Sequence, residues 1–533
     1  MTRVVRPHCK ASTRVLGSVL VALAFLASPA LAQESARVGE LNERLSQILA
    51  QLPGATSEQA VGLRNQAAGV IAQCAEALSA LIAQNPREAL TLAFSQQVLA
   101  QLGSSFPESA ALLESRGIWQ GELEYLIEDD ESMTTSRSHL RLRVAQQVLQ
   151  LHLAGPEPPG LKSGDQLQVQ GVRAGNLVAV ETASLVAASE AAVCSTLGEQ
   201  PVITILVNLQ SFTLAPAIST DLVKGILLGN AFAPTSQSVP DWSVDNFWRE
   251  NSDGKTWVNS ALPAVVGPYT LSGDFNSGGN CDSDGMRTAA INAADPSVNF
   301  QNYSRVMIVF PPNNACTFAG LGTLGCTTNN SPGDGNFTAS VAWNRSDQMP
   351  TRSSGVQLLT HEGGHNLTLH HASSRDFGAE TLGPVGAAGT LVEYGDWFST
   401  MGAWNFGLYS AQHAVEQLNW LTLNTNYQVV ESSGVYAIQN YERRPAALKA
   451  LKIRRGTGND AWLWVEYRQN TGIYDSQLSS QVWTGVLIHY KDSLLELIRT
   501  CSTTISRRSM TGTLSRCLPV PPGPIPTPTF PSL

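Results

Sequence analysis

Two-thirds of the way along the chain the residues read HEGGHNLTLHH, from His361 to His371. His361 and His365 stand at i and i+4, so a helix sets both imidazoles on one face, one turn apart, with Glu362 beside them. Two imidazoles and an adjacent carboxylate are the parts of a zinc clamp with a base for proton transfer. A third ligand must come from a reversal of the chain. His371, six residues after His365, has the spacing for it, with His370 as its neighbour and rival. A downstream carboxylate such as Glu380 or Glu393 is the alternative, which would keep the reaction but change the fold. Zn2+ is the expected cofactor.

A reversal directly after a helix asks for a residue at positive φ, where glycine is at ease. Thr368 lies within this reversal, where no glycine occurs, so the turn is either strained or shaped differently. A β-branched residue in that conformation costs roughly 1–2 kcal/mol. Zinc binding is worth more than that. Three neutral imidazoles would leave the metal cationic with one open position, so that a bound water is acidified toward about 7 and Glu362 can take its proton. Asp376 and Glu393 are candidates to steady the ligands from behind.

The elements that must position these residues occupy a long chain. At 533 residues it exceeds a single core and predicts several domains. Thirty-four basic against 43 acidic residues give a formal net charge of -9, which argues against a nucleic-acid partner. Arg3, Arg6, Lys10 and Arg14 precede an apolar run from Val15 to Leu26, and SPALA ends at Ala32. This is the pattern of a secretory signal over residues 1–32. No later run is expected to span a membrane. Outside the cytoplasm disulfides are permitted, and Cys281, Cys316 and Cys326 supply one bridge of open pairing, leaving one thiol over.

After the signal, Leu41, Leu45, Ile48, Leu49 and Leu52 mark a helical stripe. Ala67, Val70, Ile71, Cys74 and Leu78 mark a second, and Arg87 to Leu102 predicts a third helix. Residues 33–115 thus form a helical segment, in which Cys74 reads as a core thiol. The period then becomes alternating, and residues 116–195 predict a small β-barrel of OB type without a His, Asp or Glu cluster that reads as a site. VITILV near Pro201 and RVMIVF (Arg305 to Phe310) are buried strands, and VDNFWRENSDGK is a helix closed by a glycine turn. Phe337 to Trp343 predicts a strand that either lies inside the sheet or offers an edge to an extended substrate. Residues 196–425 form the unit that holds the histidines. Residues 426–494 predict a β-sandwich, and residues 495–533, ending PVPPGPIPTPTFPSL, a disordered tail.

In this order VDNFWRENSDGK, RVMIVFPPN, Cys316 with AGLGTLG, HEGGHNLTLHH, EYGDWFSTMG and YSAQHAVEQLNWL resemble the gametolysin (autolysin) family of metzincin zinc metallopeptidases, over about Pro201 to Leu421. The resemblance implies an α+β metzincin-like catalytic domain and a secreted endopeptidase acting on proteins or cell-wall glycoproteins. It carries over His361, His365 and His371 as metal ligands, Glu362 as catalytic acid/base and Met401 as the residue of a turn beneath the metal. Thr368 departs from the family's glycine. Where some metzincins place an oxyanion-binding Tyr this chain has Ala403, and Tyr394, seven residues before Met401, reads as structural.

A monomer without a membrane span is expected. The competing reading is a secreted binding or cell-surface module with a decayed zinc site. A secreted peptidase is hazardous to its maker, so the 160 or so residues before the first catalytic strand are expected to hold it latent. They would do so either by steric blockage or through Cys194 as a thiolate ligand, with cleavage near Ser195 to Gln200.

Overall fold

The computed structural model describes residues 29–189, 194–229, 241–259, 262–403, 405–442 and 447–492. The apolar core of the signal and the expected disordered tail lie outside the described residues.

Four helices come first: α1 (Pro29–Gln51), α2 (Ser57–Gln84), α3 (Pro86–Leu92) and α4 (Gln96–Ser105). The stripes meet as expected, with Leu41, Leu45, Ile48, Ala67, Val70 and Ile71 in one buried cluster. Thr56 and Gln59 close a reciprocal cap at the start of α2. The expected third helix is broken in two, because tertiary partners take over its backbone groups. Arg116 donates to the carbonyls of Leu90, Ala93 and Phe94, and Ser95 caps the new start. Burial pushes the Cys74 thiol up to about 11, in keeping with an inert core residue. By length and hydropathy α2 is apolar enough to cross a membrane, which the expectation of no such run overlooked. Its inner face packs on the other helices and on the strands that follow.

Those strands are β1 (Ser115–Asp129), β2 (Ser136–Val144), β3 (Gln147–Leu153), β4 (Gln166–Ala174) and β5 (Leu177–Ala187). Their pairings close on themselves: β1 to β2, β2 to β3, β3 to β5 in parallel, β5 to β4, and β4 back to β1. Leu123, Tyr125, Ile127, Leu142, Leu167 and Val169 fill the space enclosed. A single long strand serves both sides of the ring. The first half of β1 pairs with β4 and the second with β2, so the end of β1 has its other edge available.

The middle of the chain runs through β6 (Gly198–Gln200), β7 (Val202–Asn208), α5 (Thr220–Leu228), α6 (Val244–Ser252), β8 (Thr256–Val258), β9 (Val265–Thr270), β10 (Asn276–Ser277), β11 (Asn280–Cys281) and α7 (Ser283–Ala294). It continues through β12 (Arg305–Phe310), β13 (Gly320–Thr323), β14 (Thr327–Ser331), β15 (Gly335–Arg345) and α8 (Arg352–Asn366). Strands β9, β7, β12 and β15 are parallel and β13 turns antiparallel at the end. Apolar residues cover both faces, which is why VITILV and RVMIVF show no alternation. Leu206, Met307 and Val309 face α6 and α8, whereas Ile203, Ile205 and Ile308 face α7.

Of the two readings of Phe337 to Trp343, the inner strand holds for its second half, where β15 pairs with β12 and β13, while Phe337 to Ala339 pair with β14. The edge belongs to β13, and β1 covers it, joining the N-terminal ring and the central sheet into one sheet of eleven strands.

The remaining elements are β16 (Ser374–Asp376), β17 (Thr390–Val392), α9 (Ala411–Glu416), β18 (Tyr427–Val430), β19 (Ala450–Arg454), β20 (Ala461–Glu466) and β21 (Leu487–Asp492). Among the described residues the last four make one four-stranded sheet, and no second sheet completes a sandwich. Ala450 and Trp464 pack on the central unit, while Leu463, Ile488 and Tyr490 are covered by Phe377 and Leu382 from the loop between β16 and β17. A loop fills the place where a facing sheet was expected.

Disulfides join Cys281 to Cys316 and Cys194 to Cys326. The leftover thiol of the central unit therefore finds its partner in the linker, and Cys194 is not available as a metal ligand.

Candidate metal centre

Helix α8 ends at Asn366, and Thr368 turns the chain with φ of 77°, the left-handed conformation that its side chain disfavours. The turn is tied down by hydrogen bonds from Thr368 N to His365 O (2.8 Å) and from Leu369 N to Gly364 O (2.9 Å). This reversal brings His371 back to the helix. The ligand atoms of His361, His365, His371 and Asp129 lie within 4.8 Å of one another, and all four residues are buried. The cluster is able to hold a metal ion.

Each imidazole is oriented from behind. His361 Nδ1 lies 2.6 Å from Thr400 O, His365 Nδ1 2.7 Å from Leu369 O, and His371 Nδ1 2.8 Å from Glu393 Oε1. An acceptor at Nδ1 puts the proton there and leaves the lone pair on Nε2. All three Nε2 atoms are buried without a hydrogen-bond partner. His371 Nε2 comes within 2.7 Å of Asp129 Oδ1, yet the two are not aligned as donor and acceptor. His361 and His365 approach Asp129 Oδ2 at 3.4 and 3.3 Å, and that oxygen is likewise unpartnered. Buried polar atoms left so cost about 1–3 kcal/mol each. A cation among them removes the cost, and three nitrogens with one oxygen match the donor set of a four-coordinate zinc.

Burial pushes His365 down to about 4, so it stays neutral, the form that binds a metal. Against burial, the imidazoles gathered around Asp129 hold its carboxyl well below the usual carboxylate range. Burial and then the Asp129 charge push Glu362 well above it.

Of the residues expected from the sequence, His361, His365 and His371 come together. Glu362 is fully buried beside them with both oxygens unpartnered, facing β13, where a Cβ at Gly320 would overlap its carboxylate. Met401 is buried beneath α8: a Cβ at Gly364 would overlap its sulfur, and Ala372 N donates to its carbonyl at 2.8 Å. The glycines of HEGGH thus make room, Gly364 for Met401 and Gly363 for Trp248. His370 stays outside the group, its ring edge-on to Tyr125. Glu393 supports His371, whereas Glu380 and Asp376 are exposed. Tyr394 reaches the centre itself, its hydroxyl donating to Asp129 Oδ1 at 2.5 Å. No protein-family model matches the chain, and no curated protein matches it.

The residue that sequence reasoning missed is Asp129, 232 positions before His361, in a ring read as having no site. Its only local signal is the acidic run Glu128 to Glu131 at a strand end. Within that run Asp130 is spent on the turn, accepting from Ser132 N at 2.8 Å and Thr135 N at 2.6 Å. Asp129 alone is wholly buried there.

Proposed function

We propose that the protein is a secreted zinc-dependent endopeptidase that cuts proteins or cell-wall glycoproteins internally. The N-terminal ring would be an OB-type barrel, and the central unit a metzincin-like catalytic domain of the gametolysin kind that the sequence resembles. The observation that carries this reading is the convergence of three back-braced imidazoles on one buried point, with the unpartnered Glu362 carboxylate beside them. Two disulfides in the described residues favour an oxidising compartment.

His361, His365 and His371 would hold the zinc. Bound there, zinc supplies a Lewis acid and an acidified water. Glu362 takes the proton of the attacking water on its carboxylate and hands it to the departing amine nitrogen. Thr400 O, Leu369 O and Glu393 keep the three rings aimed while this happens. Low dielectric around the wholly buried rings and carboxylate strengthens every charge interaction of the step.

Four protein donors form a closed set, which also suits a structural metal in a binding module. Metal analysis of full-length protein, followed by limited proteolysis on the N-terminal side of Cys194 to detach the N-terminal unit and a casein digestion with and without chelator, separates the two. The peptidase reading expects one zinc per chain and chelator-sensitive digestion after processing. Full zinc with no digestion would establish the binding module.

A further inference from the structure

The N-terminal unit meets the proposed peptidase site at one strand end, and strand register decides what arrives there. Strand β1 runs antiparallel to β13 with Leu126 opposite Thr323, Ile127 opposite Gly322, Glu128 opposite Leu321 and Asp129 opposite Gly320. Residues opposite one another on paired strands point to the same face. A Cβ at Gly320 or Gly322 would meet Glu362, so that face is the one turned toward α8 and the histidines. Asp129 is therefore aimed at Nε2 of His361, His365 and His371, and a slip of one residue would turn it away. Gly320 and Gly322 carry no side chains between the strand and the site, which leaves the space that Glu362 occupies.

The same strand end covers main-chain groups of the catalytic edge. Ala319 N donates to Asp129 O and Leu324 N to Tyr125 O, both at 2.8 Å. Around this contact the two units are joined by polar groups. Arg141 meets Asp284 at 3.0 Å, Glu131 meets Arg345 at 2.8 Å, and Glu124 pairs with Arg287. Ser136 Oγ donates to Glu393 Oε1 at 2.8 Å, next to the support of His371. Leu126 also enters the core of the central sheet and Leu324 that of the ring, so the contact is mixed, with ion pairs and strand hydrogen bonds around a small apolar seam, as in interfaces that separate once the linker is cut.

We propose that the end of β1 is a built-in inhibitor: Asp129 occupies the fourth position of the metal, and Leu126 to Asp129 cover the β13 edge on which an extended substrate would pair. The full chain is then latent because its own carboxylate stands where water and the scissile carbonyl must enter. The proposal rests on the zinc peptidase reading and replaces the Cys194 thiolate, which the bridge to Cys326 removes from consideration. A carboxylate oxygen is an ordinary zinc ligand at such a position.

The test uses full-length protein carrying Co2+ in place of zinc, as wild type, Asp129→Ala and the same-sized Asp129→Asn. Its probe is acetohydroxamate, which binds an open metal position and shifts the visible spectrum. Wild type is expected to hold one metal per chain with a spectrum that acetohydroxamate leaves unchanged. Asp129→Ala should respond to the probe and lose its metal to a chelator about tenfold faster or more, while casein digestion still awaits detachment of the strand that covers β13. Asp129→Asn, which keeps the side-chain volume, should respond in the same direction and guards against a misfolded alanine variant. Equal response of wild type and both variants overturns the proposal. Absence of metal from wild type overturns the peptidase reading with it. Probe binding to Asp129→Ala with no digestion even after the N-terminal unit is detached overturns the peptidase reading alone and leaves Asp129 as the metal's fourth ligand.

Discussion

Glu362→Gln removes the proposed base and leaves the shape of the side chain intact. Glu362 does not belong to the group of convergent donors, so zinc content should not change. Its carboxylate lies fully buried between α8 and the glycines of β13, with no hydrogen bond holding it. General base catalysis of this kind is worth about 10²–10⁴ in rate, or roughly 3–5 kcal/mol of barrier. Fold stability should move little. Glu362 holds its proton well above the usual range, so a neutral amide resembles the state that the latent fold prefers. The assay compares zinc per chain, melting temperature and kcat/KM on an internally quenched peptide for wild type and Glu362→Gln after the N-terminal unit is detached. With full zinc occupancy, a kcat/KM within about tenfold of wild type would refute the role assigned to Glu362.

His361→Ala or His365→Ala should lose the metal and stability together, since binding free energy is folding free energy. An unchanged melting temperature with and without chelator in wild type would contradict this. Thr368→Gly relieves the strain at φ of 77° and should stabilise by about 1 kcal/mol or less, because glycine's freedom in the unfolded chain offsets part of the gain; a loss in denaturant titration would show the threonine to be favourable there. Burial, and then the charge of His489, push His413 down to about 3, so the folded state keeps this ring neutral. Its stabilising effect is complete above pH 6.5 and disappears as pH falls toward 3, because the unfolded chain takes the proton first. His413→Gln should flatten that part of the stability curve, and an unchanged slope between pH 6.5 and 3 would reject the assignment. Cleavage on the C-terminal side of Cys194, for instance at a protease site placed over Ser195 to Leu197, should leave the N-terminal unit attached through Cys326 until the protein is reduced; separation on a non-reducing gel would show the bridge absent.

Much of the helical segment and central sheet was legible because burial repeats along them. The stripe of Leu41, Leu45 and Ile48 and the apolar runs VITILV and RVMIVF each report one or two covered faces. The break between α3 and α4 was not legible, since Arg116 imposes it from outside the segment. The expected sandwich is not confirmed among the described residues for a related reason: alternation shows that a strand has a covered face, and cannot say whether a sheet or the loop carrying Phe377 and Leu382 covers it.

At the site, the spacing of His361, His365 and His371 predicted a group able to hold a metal, because a helix turn and one reversal are local geometry. The sequence leaves open whether the turn at Thr368 is strained or shaped differently, and the structure gives it a φ of 77°. Only the tertiary structure decided that Glu393 and not Asp376 supports His371, that Cys194 is bound to Cys326, and that Asp129 closes the set. No local spacing links a strand end in the N-terminal ring to a helix 232 residues later. The register of β1 on β13 makes that link, and register is a property of two strands together.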